Sequence, residues 1–278
     1  MSRLAAAVVA LGLALAGCGG SEAEDALDEA TAKLGEIKSG DLGLKVAVEP
    51  TNMGDSAIGF ELDGPFALAG KAGELPRAEM AYTQIAGPNR ADVRFISSGE
   101  AAWVEVEGQA YELDPEQVER LQAGDGEGGG PLAELDVASW TRDAKLSEGA
   151  RVDGRRTERV RGSVDVAEAI NDLARVLEQT GGGEAVEGLA ELEDEDADRV
   201  EEAVRSSPIE IVFGKQDRLL RRLRVTLDFA IEPRELRGEL GRLSGAKVTL
   251  DLRISDPNGQ VRIEEPADAL PYEQLPSG

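Results

Sequence analysis

Cys18 is the single thiol of a 278-residue chain that contains no histidine. A thiol attacks as its thiolate, and a hydroxyl needs a neighbouring base, most often histidine. Neither a Cys-His pair nor a Ser-His-Asp triad is available. Aspartate and glutamate total 55, so close carboxylate pairs arise by chance and do not by themselves mark acid–base chemistry. The chain therefore reads as a non-enzyme. The acidic run "ELEDEDADR", residues 191–199, lacks the glycine and ligand spacing of a calcium loop and reads as a solvated helix face. No metal and no cofactor are expected. The one dense set of anion donors is Arg218, Arg221, Arg222 and Arg224. Strand alternation puts Arg222 and Arg224 on one polar face. There they either grip phosphate, which suits the planar guanidinium, or balance nearby acids on an outward surface.

The position of Cys18 is informative. Arg3 is followed by the apolar run "LAAAVVALGLALAG" at 4–17, and then "CGGSEAED". A basic start, a short apolar core and small residues before a cut site form a secretory signal. The run is shorter than the roughly 20 residues a membrane-spanning helix needs. Its end, Leu15-Ala16-Gly17-Cys18, resembles the lipobox of bacterial lipoproteins, which implies cleavage between Gly17 and Cys18 and thioether lipidation of Cys18. The other reading is an incidental cysteine in an ordinary secretory signal. Two acyl chains hold a protein on a bilayer where one does not, and a diacylglyceryl cysteine supplies two. Residues 18–23 read as a polar, flexible tether.

Composition narrows the rest. The formal charge is −25, the wrong sign for displacing counterions from nucleic acid. Hydrophobic residues make up 41%, too many for a disordered chain. Aromatics are only 4%, so the core rests on Leu, Val, Ile and Ala.

Periodicity places the elements. Leu27, Ala30, Leu34 and Ile37 recur at helical spacing in 24–38, ended by Ser39-Gly40. The period then falls to two, with Leu42, Leu44, Val46 and Val48 on one face. Further strands are expected at 58–69 (interrupted by Asp63-Gly64-Pro65), 77–87 and 90–99. A hairpin over 101–113 turns at Glu107-Gly108. Asp114 and Pro115 start a short helix, and "GDGEGGGP" at 124–131 is a loop. "PLAELDVASW" reads as a short helical piece, followed by two strands hinged at Asp153-Gly154. Ser163 or Asp165 caps a helix with Ile170, Leu173 and Leu177 on its apolar stripe and Gly181 at its end. A second, acidic helix spans 184–207. A strand from 208 turns at 214–217 into the clearest strand of the chain, where Leu223, Val225, Leu227, Phe229 and Ile231 alternate with polar residues. Val248, Leu250, Leu252 and Ile254 repeat that pattern, and Asp256-Pro257-Asn258-Gly259 is expected to turn the chain into a last strand at Val261 and Ile263.

Meandering strands with one polar face and a few helices predict an α+β fold. Its large curved antiparallel sheet, a half-barrel, carries helices on its concave apolar face. The order of lipobox, short helix, "SGDLGLKVAV", "GPFALAG", "ISSGEAAWVEVEGQAYEL", "DRLLRRLRVTLDF" and "VTLDLRISDPNGQVRIEEP" resembles the LppX/LprAFG group of actinobacterial envelope lipoproteins and, more distantly, the carrier LolA. The resemblance implies one domain over 24–275 whose hydrophobic pocket holds acyl chains of lipids or lipoglycans. It also implies a body held by Cys18 on the outer face of a cell membrane, without catalysis. Candidate lining residues are Leu223, Val225, Leu227 and Phe229. Trp103 and Trp140 either line the pocket mouth or belong to the core. Arg222 and Arg224 are the candidates for headgroup contact. The alternative function is an envelope interaction module that recognises a protein or wall polymer. It needs an exposed patch in place of an interior one.

Overall fold

The computed structural model describes residues 19–51, 57–71, 73–86, 89–123, 135–179, 194–230 and 245–276. Helix α1 (Gly19–Ala32) leads into β1 (Ser39–Pro50), which opens a meander of β2 (Ile58–Ala67), β3 (Arg77–Ala86), β4 (Asn89–Ser98), β5 (Ala102–Val106) and β6 (Gln109–Glu112). Helix α2 (Pro115–Ala123) follows. The second half supplies β7 (Thr141–Glu148), β8 (Thr157–Val164), α3 (Val166–Gln179), α4 (Asp194–Ala203), β9 (Val204–Ser206), β10 (Pro208–Gly214), β11 (Leu220–Ala230), β12 (Gly245–Ser255) and β13 (Leu270–Pro271). All lie in one open sheet ordered β13-β6-β5-β4-β3-β2-β1-β12-β11-β10-β8-β7, with β9 alongside β11. Neighbours are antiparallel except β13 with β6. The expected α+β half-barrel is the observed fold. The two halves meet where β12 pairs β1 from Asp41↔Ser255 to Pro50↔Ala246.

Local sequence explains the elements. The predicted helical stripe is the buried one: Leu27 and Ala30 on α1, with Leu34 and Ile37 just beyond it, are 1–4% exposed. They join Val160, Ile209, Ile211, Leu223, Leu252 and Ile254 in the main core. That core sits between the helices and the concave face of β8, β10, β11 and β12. At α2, Asp114 and Gln117 cap each other: the Gln117 backbone N–H donates to Asp114 Oδ1 at 2.8 Å, and the Asp114 N–H to Gln117 Oε1 at 3.0 Å. Asp165 caps α3, accepting from the Glu168 N–H at 3.2 Å, while Ser163 lies within β8. The β5–β6 turn has Glu107 and Gly108 both at positive φ, 53° and 81°, the geometry that matches strand twist.

Five expectations need correction. The tether is not loose throughout, because α1 begins at Gly19 and Ala23 is fully buried. β2 runs through Asp63-Gly64-Pro65. Pro65 keeps its place opposite Asp41, while the pairing with β3 skips Gly64 and Pro65, which spares a residue that cannot donate. The described part of "PLAELDVASW" forms turns at 137–140, not a helix. The described second helix spans only Asp194–Ala203, and Val204–Ser206 pairs with β11. Val261 and Ile263 form no strand. Both sides of β12 are already occupied, by β1 and β11, so no hairpin return has an edge to join. The chain instead runs on to Leu270–Pro271, beside β6. The loop at 124–131 and Gly181 fall outside the described residues, as do the side chains of Leu173 and Leu177, whose backbone lies in α3.

Candidate functional site

The register carries the apolar alternation from strand to strand. One row runs Leu223–Leu252–Leu44–Leu62–Tyr82 across β11, β12, β1, β2 and β3. A second runs Leu227–Val248–Val48–Ile58. Where α1 and α3 cover this face it is closed: Leu223 is 2% and Ile254 1% exposed. Away from them it opens. Val46, Val48, Phe60 and Leu62 are half-buried, and Ile58 and Tyr82 are 52% and 38% exposed. Phe60 and Tyr82 stack with ring centroids 5.9 Å apart. An apolar strand face normally disappears under a second layer. Among the described residues that second layer covers one half and leaves an apolar trough over the other. Along β1 the ladder from Leu42 to Val48 extends about 20 Å at 3.3 Å per residue.

Of the sequence-predicted lining residues, Leu223 belongs to the closed core, and Val225 and Leu227 pack against it from the half-buried side. Phe229, opposite Ala246, is half-buried further along β11. The two tryptophans do not line the trough. Trp103 alternates with Val104 and pairs with Ile96 on the opposite face, where it is 5% exposed. Trp140 is 3% exposed within the core. Its Nε1–H donates to Asp172 Oδ2 at 3.0 Å. Cys18 and Gly17 lie outside the described residues.

Arg222 and Arg224 share the convex face, as strand alternation requires. Arg222 donates to both carboxylate oxygens of Asp251, Nε to Oδ1 at 3.0 Å and Nη2 to Oδ2 at 2.6 Å. Arg253 does the same at 3.2 and 3.1 Å. Arg224 stands 3.9 Å from Oδ2. Burial alone pushes the Asp251 carboxyl up, but the hydrogen bonds from Arg222 and Arg253 outweigh it and hold it below the usual carboxylate range. The hydrogen bond with Asp251 in turn raises Arg222. Sequence reading missed Asp251, although its alternation with Leu250 and Leu252 places it on the polar face. A cleft of about 300 Å³ opens beside it, lined by Gly43, Lys45, Glu61, Asp63 and Arg253. Lys45 Nζ bonds Glu61 there at 2.6 Å. Among the described residues no cluster of three metal-ligating side chains occurs, and no helix is long and apolar enough to cross a membrane.

No family model and no curated protein matches the chain. Solved structures do. LprF from Mycobacterium bovis aligns over 90% of this chain and 100% of its own, at 13% identity and a TM-score of 0.48. The chain is similar to LprF. MucB in complex with MucA(peri) aligns over 93% of this chain and 59% of its own, at 15% identity and a TM-score of 0.25. A DUF1329 family protein from Desulfovibrio piger covers 85% and 93%, at 11% identity and a TM-score of 0.22.

Proposed function

We propose that the chain is an extracytoplasmic lipoprotein, anchored to a cell membrane through acylated Cys18, that binds lipids or lipoglycans without transforming them and carries them in its trough. The observation that supports this reading is the half-open apolar face, continuous from β11 to β3 and ending on exposed Ile58 and Tyr82. Burying a methylene is worth about 0.8 kcal/mol. A sixteen-carbon chain laid along the face would gain on the order of 10 kcal/mol before ordering costs. The low aromatic content agrees with the reading, since aliphatic rows leave a smooth surface that accepts an acyl chain without directional demands. The absence of histidine and of a second thiol agrees with carriage in place of catalysis.

Native mass spectrometry after detergent-free purification tests it. The expected result is a population of protein retaining one or more lipids, released on denaturation. Protein recovered only at its own mass, with no uptake of a fluorescent fatty acid, would overturn lipid carriage.

A further inference from the structure

The convex face of β7, β8, β10, β11 and β12 carries charge of the opposite sign to the chain as a whole. Lys145, Arg159, Arg161, Arg222, Arg224 and Arg253 point there together, as the register requires. The acids on this part of the face are Glu210, 2.8 Å from Arg161, Asp251, shared by three arginines, and exposed Asp228, which lies opposite Lys247 at the far end of β11 and β12. Arg159 Nε donates to Ser147 at 3.3 Å. Arg142, near the same edge, is already bonded to Asp165 and Glu201. Beyond β12 the face becomes mixed, with Lys45 on Glu61 and Asp63 beside them.

Two ladder positions set like charges directly opposite each other, Arg222↔Arg253 and Lys145↔Arg161. That arrangement costs stability in an antiparallel pair. In a chain with 55 acids and 30 bases, a charged residue placed at random is more often a carboxylate than a base. The outer guanidinium groups remain available, since the side chains of Arg161, Arg224 and Arg253 are 59%, 51% and 62% exposed. Helix α1 begins one residue after Cys18 and packs against β7, the edge strand that carries Lys145.

We infer that this basic half-face docks on an anionic bilayer surface. The inference rests on the anchored reading above for the local concentration of protein at the membrane. Long-range repulsion from the net charge of −25 does not forbid it. Charges beyond a Debye length of about 8 Å are screened at physiological salt, so the apposed face decides the contact energy. Clustered lysines and arginines gain about 1 kcal/mol each near an anionic leaflet. The concave trough, on the other side of the sheet, then points away from the bilayer, toward whatever receives or delivers the ligand.

The test adds the full acylated chain to preformed vesicles of phosphatidylcholine, with or without phosphatidylglycerol. Flotation follows, then arginine modification by phenylglyoxal read by peptide mass spectrometry. On phosphatidylglycerol vesicles Arg159, Arg161, Arg224 and Arg253 should react about fivefold more slowly than on neutral ones, with the difference lost near about 0.5 M salt, where screening is complete within a few ångströms. Exposed Arg262, past the end of β12 and outside the sheet, should react equally on both. Equal rates for all five arginines on both vesicle types would overturn the docking inference alone. A chain that floats with neither vesicle type would overturn the anchor and the docking together.

Discussion

Arg222 holds Asp251 diagonally across β11 and β12, with two hydrogen bonds of 3.0 and 2.6 Å, while the directly opposite Arg224 remains 3.9 Å away. The Asp251 side chain is 9% exposed and that of Arg222 29%. The diagonal geometry allows a forked bond that the straight one does not. It also draws Arg253 onto the same carboxylate, so one acid neutralises part of a three-arginine cluster.

Replacing Asp251 with Asn leaves that cluster without its counter-charge. The expected loss is about 2–3 kcal/mol, as for a largely buried charged partner removed from its network. Arg224→Gln should change stability by less than about 0.5 kcal/mol, because its contact is long and half exposed. Urea unfolding of both variants checks the contrast.

Acidification should destabilise the fold through the same groups. Asp251, Glu158 and Asp217 all sit below their ordinary carboxylate values. In each, burial works upward but is outweighed: by Arg222 and Arg253 for Asp251, by Arg218 and Lys215 for Glu158, and by the Leu219 N–H and Arg221 for Asp217. A depressed native pKa stabilises above the unfolded value and is lost as pH falls through the native one. Stability should therefore be nearly level from about pH 5 to 8, where a chain without histidine has almost nothing to titrate. It should decline below about pH 4, where unfolded carboxylates bind protons first. Thermal melts across that range would contradict the assignment if the main loss fell between pH 6 and 8.

Asp172 is 1% exposed. Its Oδ2 accepts from Trp140 Nε1 and from the Asp136 N–H, and its Oδ1 from Arg175. Trp140→Phe removes one donor from a buried carboxylate as well as apolar volume. A loss of about 2–3 kcal/mol is expected, measured by denaturant unfolding followed by circular dichroism.

Gly64 sits at φ +149° within β2, and a Cβ there would lie 1.9 Å from the Glu79 carbonyl oxygen of β3. Gly64→Ala must push the two strands apart where the pairing already skips. A cost of about 2 kcal/mol or more is expected, with faster amide exchange along β2 and β3 as its signature.

Phe60→Glu tests the trough without opening the core, since Phe60 is only half-buried. A carboxylate on the acyl path should weaken fluorescent fatty-acid binding at least about tenfold, through the cost of desolvating it. The unfolding midpoint should stay close to that of the unmodified chain. Unchanged binding would place the ligand elsewhere.

Much of this was legible from residue order alone. The period-two runs of β1, β11 and β12, the Glu107-Gly108 turn, the Asp114 cap and the stripe through Leu27 to Ile37 are local signals, and each is met in the fold. Local signals misled where neighbours decided. Val261 and Ile263 alternate like a strand, but β12 has no free side for them. For Trp103 and Trp140 residue type left pocket mouth and core both open; both are buried, one by strand parity on the far face and the other in the core beside Asp172.

The sequence by itself determined which residues are apolar, which face of each strand they take, and that histidine chemistry is absent, because composition and side-chain alternation are properties of single segments. Only the tertiary structure decided that β12 joins the two halves through β1, that the described helices cover one part of the apolar face and leave the rest open, and that six basic side chains from four strands share one surface. Those facts depend on strand order and register, which arise from pairings between residues as much as two hundred positions apart, such as Asp41 with Ser255. No local pattern encodes them.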